Sequence, residues 1–296
     1  MDALETTLRS SESPHLRVRE RLRVLAAHRE VLGNLTRKEL KVKYAASVLG
    51  AVWSLLNPLV YLAVFTFVTR VLGNNIPNYP VYLLSGLLAW NLFSAAASSG
   101  SRSVIENANL VKKIAFPREI LPLSSIGVAL VDFVLQMGVL LLFMLVTGYG
   151  LLWPELALLP LAFVALLAFT TMLTLLLAAM NVRYRDVGHL LGIALLVWFW
   201  ITPIVYASAL VQDALGSPDV FATGRQYLYF SNPLTPIVEG MHRALYDTTN
   251  APGVLFDVSL GFLALSLVVV VVVSLVLLRF TWGYFFSRSG DFAEEL

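Results

Sequence analysis

Residues 107–122 read NANLVKKIAFPREILP. An apolar stretch lies on each side, 81–97 before it and 120–146 after it. In a water-soluble chain such a segment is one more surface loop. Between two stretches that can cross a bilayer, it is a polar bridge on one membrane face. Lys112, Lys113 and Arg118 make it basic, and basic bridges stay on the cytoplasmic side. Phe116-Pro117 interrupts any helix through it, because proline lacks the amide donor and restrains the residue before it. A plain connector needs neither the charges nor the break. The bridge therefore reads as a short helix on a membrane domain that is pushed from the cytoplasm.

Composition agrees. The chain is 58% hydrophobic and 14% charged over 296 residues, with mean hydropathy +0.76. A soluble domain of this length cannot hide so much apolar surface. About 20 apolar residues cross the hydrocarbon core as a helix. Six stretches qualify: 48–72, 81–97, 120–146, 156–180, 187–207 and 254–278. The run 268–273, all valine, is what a lipid-facing helix looks like. The expected fold is all-α and integral to the membrane. It has a cytoplasmic region over 1–46 and a six-helix transmembrane domain over 47–296, whose cytoplasmic tail starts at about 279. The charged first 46 residues offer no apolar signal segment.

Orientation follows from Lys and Arg. Of 21, 18 fall before the first span, in the second-to-third and fourth-to-fifth bridges, or in the tail. The other side has Arg70, Arg225 and Arg243. Both termini are expected in the cytoplasm.

Two amphipathic helices are expected ahead of the first span. One runs from Pro14 to Leu32, with Gly33 as its stop. The next starts at Thr36, where Thr36-Arg37-Lys38-Glu39 has the form of a capping box and Leu35 and Leu40 that of a hydrophobic staple. Its basic residues suit the headgroup level.

Within the spans, Trp53, Asn57, Tyr61 and Phe65 recur every four residues and form one stripe on a helix kinked at Pro58. The stripe serves either helix packing or a pore lining. The fifth span closes with WFWITPIVY, carrying Trp198 and Trp200. Asp132 and Gln136 sit one turn apart in the third span. A carboxylate there must find a partner or water, and an interhelical hydrogen bond is preferred to a proton relay because the fourth and sixth spans hold no partner base. Residues 233–246 read as an amphipathic helix that re-enters the outer leaflet, against the plainer reading of a surface helix. The tail DFAEEL is expected at the surface.

Catalytic signatures are missing. No Gly precedes a Lys, so the phosphate-binding loop GxxxxGK[ST] is absent, and there is no HExxH, CxxC or GxSxG. No cysteine and four scattered histidines leave no metal site and no cofactor to expect in the chain.

The segments NLVKKIAFPREILPL (109–123), NVRYRDV (181–187), TPIVY (202–206) and KVKYAASVLGAVWSLLNPLVY (41–61) resemble, in their order, the ABC-2-type permeases that export polysaccharides. Those nearest handle lipid-linked O-antigen, teichoic acid and related cell-wall glycans. The resemblance implies an inner-membrane half-transporter: two copies of this chain with two copies of a separate nucleotide-binding subunit that holds ATP and Mg. It implies a coupling helix within 107–118, using Asn109, Lys112, Lys113 and Arg118, and a second contact at Arg185-Asp186. It also implies an interface helix before the first span and short external re-entrant helices. On this reading Arg37, Lys41 and Lys43 meet the lipid diphosphate, and Trp53, Asn57, Tyr61, Phe65, Trp198 and Trp200 line a sugar path at a homodimer seam. Membrane lipid is the other partner, and nothing calls for nucleic acid. Two rivals are an exporter of a small drug or lipid, and a membrane enzyme on lipid-linked sugars with Asp132 or Asp186 as base.

Overall fold

The computed structural model describes residues 18–45, 50, 53–71, 76–114, 116–150, 155–214, 222–246 and 253–296. All regular structure among them is helical. The helices are α1 (Val18–Ala27), α2 (Arg29–Tyr44), α3 (Trp53–Val71), α4 (Tyr79–Glu106), α5 (Ala108–Lys113), α6 (Ile120–Thr147), α7 (Leu158–Arg183), α8 (Val187–Ile201), α9 (Ala209–Ala214), α10 (Ala222–Phe230), α11 (Leu234–Leu245), α12 (Leu260–Ser289) and α13 (Phe292–Glu295).

Four of these are long and apolar enough to cross a bilayer: α4, α6, α7 with the 3₁₀ turn before it, and α12. They correspond to the second, third, fourth and sixth expected stretches. The first and fifth form shorter apolar helices, Leu55–Val71 and Val187–Ile201. At ~1.5 Å per residue, α8 is about 22 Å long, short of a ~30 Å hydrocarbon core. Its helix stops because Pro203 follows Thr202, which turns extended. The chain goes on as irregular backbone whose residues Thr202–Val205 are buried.

Helix α4 is the hub, packing on α3, α6, α7, α8 and α11, while α12 packs along α7. Small residues allow close approach. A Cβ at Gly100 of α4 would lie 2.2 Å from Thr174 Cγ2 of α7. Asn91 Nδ2 donates to Gln136 Oε1 between α4 and α6 at 2.9 Å. The faces turned outward are apolar: Val134, Leu142, Leu145 and Val146 on α6, and Val268, Val269, Val272 and Val273 on α12, are exposed. Only Val270 of the valine run is tucked inward with Val271 half-buried.

Two apolar cores result. The larger joins α4, α6, α7, α8, α11 and α12. The smaller gathers Leu35, Val104, Val111, Ile120, Val182, Trp282, Phe285 and Phe292, where the helix ends meet.

Two local expectations change, and one alternative falls. Gly33 does not stop a helix and Thr36 does not start one, since α2 runs through both. Thr36 Oγ1 donates back to Leu32 O at 2.9 Å, satisfying the hydroxyl inside the helix. The break falls at His28. The tail is not all surface: Phe292 is fully buried edge-on against Phe285, centroids 5.3 Å apart. Helix α11 is not a surface helix. It is enclosed by α4, α7 and α12, and of its twelve residues only Arg243 is not fully buried.

Candidate functional site

The bridge quoted first forms α5, and its placement is simple. Val111 is its one buried residue and plugs into the smaller core, where Leu110 and Phe116 also pack. Asn109, Lys112, Lys113 and Ile114 are exposed. Asn107 joins α4 to α5: its Nδ2 donates to Ser103 O at 2.9 Å. Arg118 folds inward to half-burial, which lowers its pKa from the usual arginine value. Glu119 is buried, and that burial raises its pKa against the pull of Trp282 and Arg21. Arg21 Nη1 donates to Trp282 O at 3.3 Å and its guanidinium lies 4.2 Å from the Phe286 ring centre. Helix α1 is thus tied to the end of α12.

The α7–α8 turn leaves the same core. Asn181 holds it: Nδ2 donates to Ser101 O at 2.9 Å, and Oδ1 accepts from Gly188 N at 3.1 Å. Tyr184, Arg185 and Asp186 are exposed there. Five of the six residues expected at the coupling contact therefore stand exposed on two turns rooted in one core. Arg118 is the exception.

The basic residues of α2 divide. Arg37 and Lys41 are exposed. Lys43 Nζ pairs with Asp132 Oδ2 at 2.5 Å, and Tyr44 Oη donates to Asp132 Oδ1 at 2.6 Å. Asp132 thus has an interhelical partner, supplied by neither the fourth nor the sixth span. Beside this pair lies a groove of about 470 Å³ between α2, α4 and α6. Lys38, Ser99, Ser103 and Asn107 are among its lining residues.

The aromatic residues divide too. Tyr61 stacks on Phe65, centroids 5.9 Å apart and planes 6° apart. Tyr61 meets Phe199 at 5.8 Å, and Phe65 meets Trp200 edge-on at 6.1 Å. Tyr61, Phe65 and Trp200 therefore form one strip across α3 and α8, with Trp200 exposed. Asn57 is exposed on α3. The Trp53 side chain lies outside the described residues. Trp198 turns away from the strip. Its ring meets Phe93 and Phe169, and its Nε1 donates to Asn232 Oδ1 at 2.7 Å. Asn232 also donates to Thr202 Oγ1 at 3.2 Å, clamping the start of α11 to the end of α8.

The sequence reading missed the polar residues enclosed with α11. Glu239 and His242 are buried, and His242 stacks on Tyr82 at 4.1 Å. Gly86 makes room for that ring, since a Cβ there would lie 2.7 Å from His242 Nε2. Their one-turn spacing on a helix buried all round was the available signal. Among the described residues, no group of three or more His, Cys, Asp or Glu could hold a metal ion.

A bundle of long apolar helices, capped at one end by exposed polar turns rooted in a single core, is the build of a multi-pass membrane protein. Residues 30–246 match the family described as ABC-2 type transporter, and the chain belongs to it. Its relatives include the O-antigen export system permease protein RfbA of Myxococcus xanthus, 32% identical over 279 residues that cover 93% of this chain and 98% of that protein. A protein of the same name from Klebsiella pneumoniae is 32% identical over 188 residues, covering 62% of this chain and 71% of its own. The chain is accordingly a multi-pass membrane protein of a permease family.

Proposed function

We propose that this chain is the membrane subunit of an ABC exporter that carries a lipid-linked polysaccharide out across the plasma membrane, driven by a separate nucleotide-binding subunit. The observation that carries the reading is α5. One buried valine roots it in the bundle, while Asn109, Lys112 and Lys113 face outward. Such a helix can take a push and pass it on. The likeness to O-antigen export permeases supports the cargo class.

In this reading α3 and α8 complete six crossings, and the irregular backbone after Ile201 finishes the fifth inside protein cover. Both termini are cytoplasmic. Two copies meet along α3 and α8, whose exposed faces include Leu59, Val64, Ile193 and Val197. Tyr61, Phe65 and Trp200 then face a shared path. Aromatic faces suit the apolar faces of sugars, Asn57 exchanges hydrogen bonds with hydroxyls, and weak repeated contacts let a polymer slide. Arg37 and Lys41 draw the lipid diphosphate to the surface. ATP and Mg stay on the partner subunit, which docks on α5 and on Arg185-Asp186.

The test is assembly. The double variant Lys112→Glu/Lys113→Glu should bind the nucleotide-binding subunit at least tenfold more weakly, about 1.4 kcal/mol, at normal protein level. ATP hydrolysis by the isolated chain, or unchanged binding, would refute the reading. For the cargo, depletion should leave lipid-linked glycan on the cytoplasmic side, measured by mass spectrometry. Accumulation of a small amphiphile instead would favour a drug or lipid exporter.

A further inference from the structure

We infer that α2 and α6 move as one body, and that Asp132 is the positioning residue that locks them together. The inference rests on the proposed export function only for its mechanical meaning. The rigid unit is readable without it.

The Asp132 carboxylate is almost fully buried on an apolar helix, so it needs partners for both oxygens. Lys43 and Tyr44 supply them, one oxygen each. These residues are consecutive, and consecutive residues leave a helix about 100° apart. Both reach one carboxylate only if it sits against the last turn of α2. That geometry fixes the rotation of α2 as well as its position along α6. The helix ends there, because Ala45 is extended with φ −64° and ψ 142°.

Three further contacts hold the rest of α2. Ser124 Oγ donates to Glu39 Oε1 at 3.2 Å. A Cβ at Gly127 would lie 2.9 Å from Thr36 Oγ1, so α2 approaches α6 at a site where only glycine leaves room. Lys38 Nζ donates to Asn107 Oδ1 at 3.3 Å, joining α2 to the residue that starts α5. Leu35 seals the inner side in the core that holds Val111.

Displacement of α5 therefore reaches α2 directly through Asn107 and again through α6. The alternative motion has Lys43 leave Asp132 in each cycle and α2 swing free. Its half-exposed side chain makes that a real competitor.

The natural absence of cysteine makes the test clean. In the purified chain, spin labels at Val42→Cys and Val131→Cys, both exposed, should give one narrow distance distribution. Asp132→Ala should broaden it. In the assembled transporter, Asp132→Ala should lower export per ATP hydrolysed at least fivefold at normal subunit binding. The swap Lys43→Asp/Asp132→Lys should recover most of the loss, which a merely disturbed fold would not. Joining Lys43→Cys to Asp132→Cys with a short bifunctional thiol reagent should restore export.

A narrow distribution that survives Asp132→Ala overturns the inference. So does a cross-link that stops export while hydrolysis continues, since the pair must then open. If the wild-type chain neither binds a nucleotide-binding subunit nor exports, the functional reading fails, and the spin-label distances still decide the rigid unit.

Discussion

A glycine and a threonine set how close α4 and α7 come. At Gly100 a Cβ would meet Thr174 Cγ2 at 2.2 Å, while the next neighbours stand at 3.6 and 3.7 Å. Gly100→Ala should therefore destabilise the purified protein by about 1–3 kcal/mol through overpacking. Thr174→Ser removes the clashing methyl, so the double variant should regain most of the lost thermal stability. Equal melting temperatures for Gly100→Ala alone and wild type would show that the helices part without strain. Residue by residue, the sequence told unevenly. Asn109, Lys112, Lys113, Arg185 and Asp186, which the family resemblance assigns to the coupling contact, stand exposed. The sequence marks Asp132 as needing a partner but does not show that α2 supplies it. Span-to-span periodicity cannot see a helix ahead of the bundle that folds back along it. Trp198 and Trp200 lie near one helix end and look alike in sequence. Two residues apart on a helix they point about 160° from each other, and the structure sends one to Asn232 and leaves the other exposed.

Whole elements were legible where hydrophobic length decided them and less so where capping signals did. The four long helices lie close to the expected stretches. In sequence, Gly33 and Thr36 look like a stop and a start, yet α2 runs through both. Both are compatible with helix interior: Gly33 has no neighbour that a Cβ would touch, and Thr36 back-bonds. Packing of Leu35 then outweighs the propensity penalty. Gly33→Ala should accordingly stabilise the protein, by about 0.5–1 kcal/mol, read as a higher melting temperature. A loss instead would return Gly33 to the role of a helix stop. Helix α8 ends at Ile201, inside the stretch 187–207, because Pro203 ends or kinks the span there and turns Thr202 extended. At the strip, Tyr61→Ala and Trp200→Ala should each reduce export without abolishing it. Base stacking, worth about 1–3 kcal/mol per contact, is an upper guide for a sugar face. Tyr61→Leu should rescue packing but not stacking, so full rescue by leucine would assign the ring to helix packing.

For the molecule as a whole, charge distribution makes the strongest claim. Gly150→Cys, exposed after α6, should react with an impermeant thiol reagent on intact cells, and Lys112→Cys should react only after lysis. The reverse pattern would invert the topology. The enclosure of α11 has a different consequence, for how such a chain gets made. Its twelve residues include Glu239, His242 and Arg243, so it cannot partition into lipid by its own hydrophobicity. Its walls are α4 and α7, synthesised before it, and α12, synthesised after it. Gly240 is wedged between them, since a Cβ there would sit 3.1 Å from both Ala162 Cβ and Leu267 Cδ1. The enclosure of α11 is therefore complete only once α12, the last wall, is in place. In a chain ended before Leu260, Met241→Cys should be open to a polar thiol reagent that cannot reach it in the full chain. Equal protection in both would mean that α4 and α7 alone receive it.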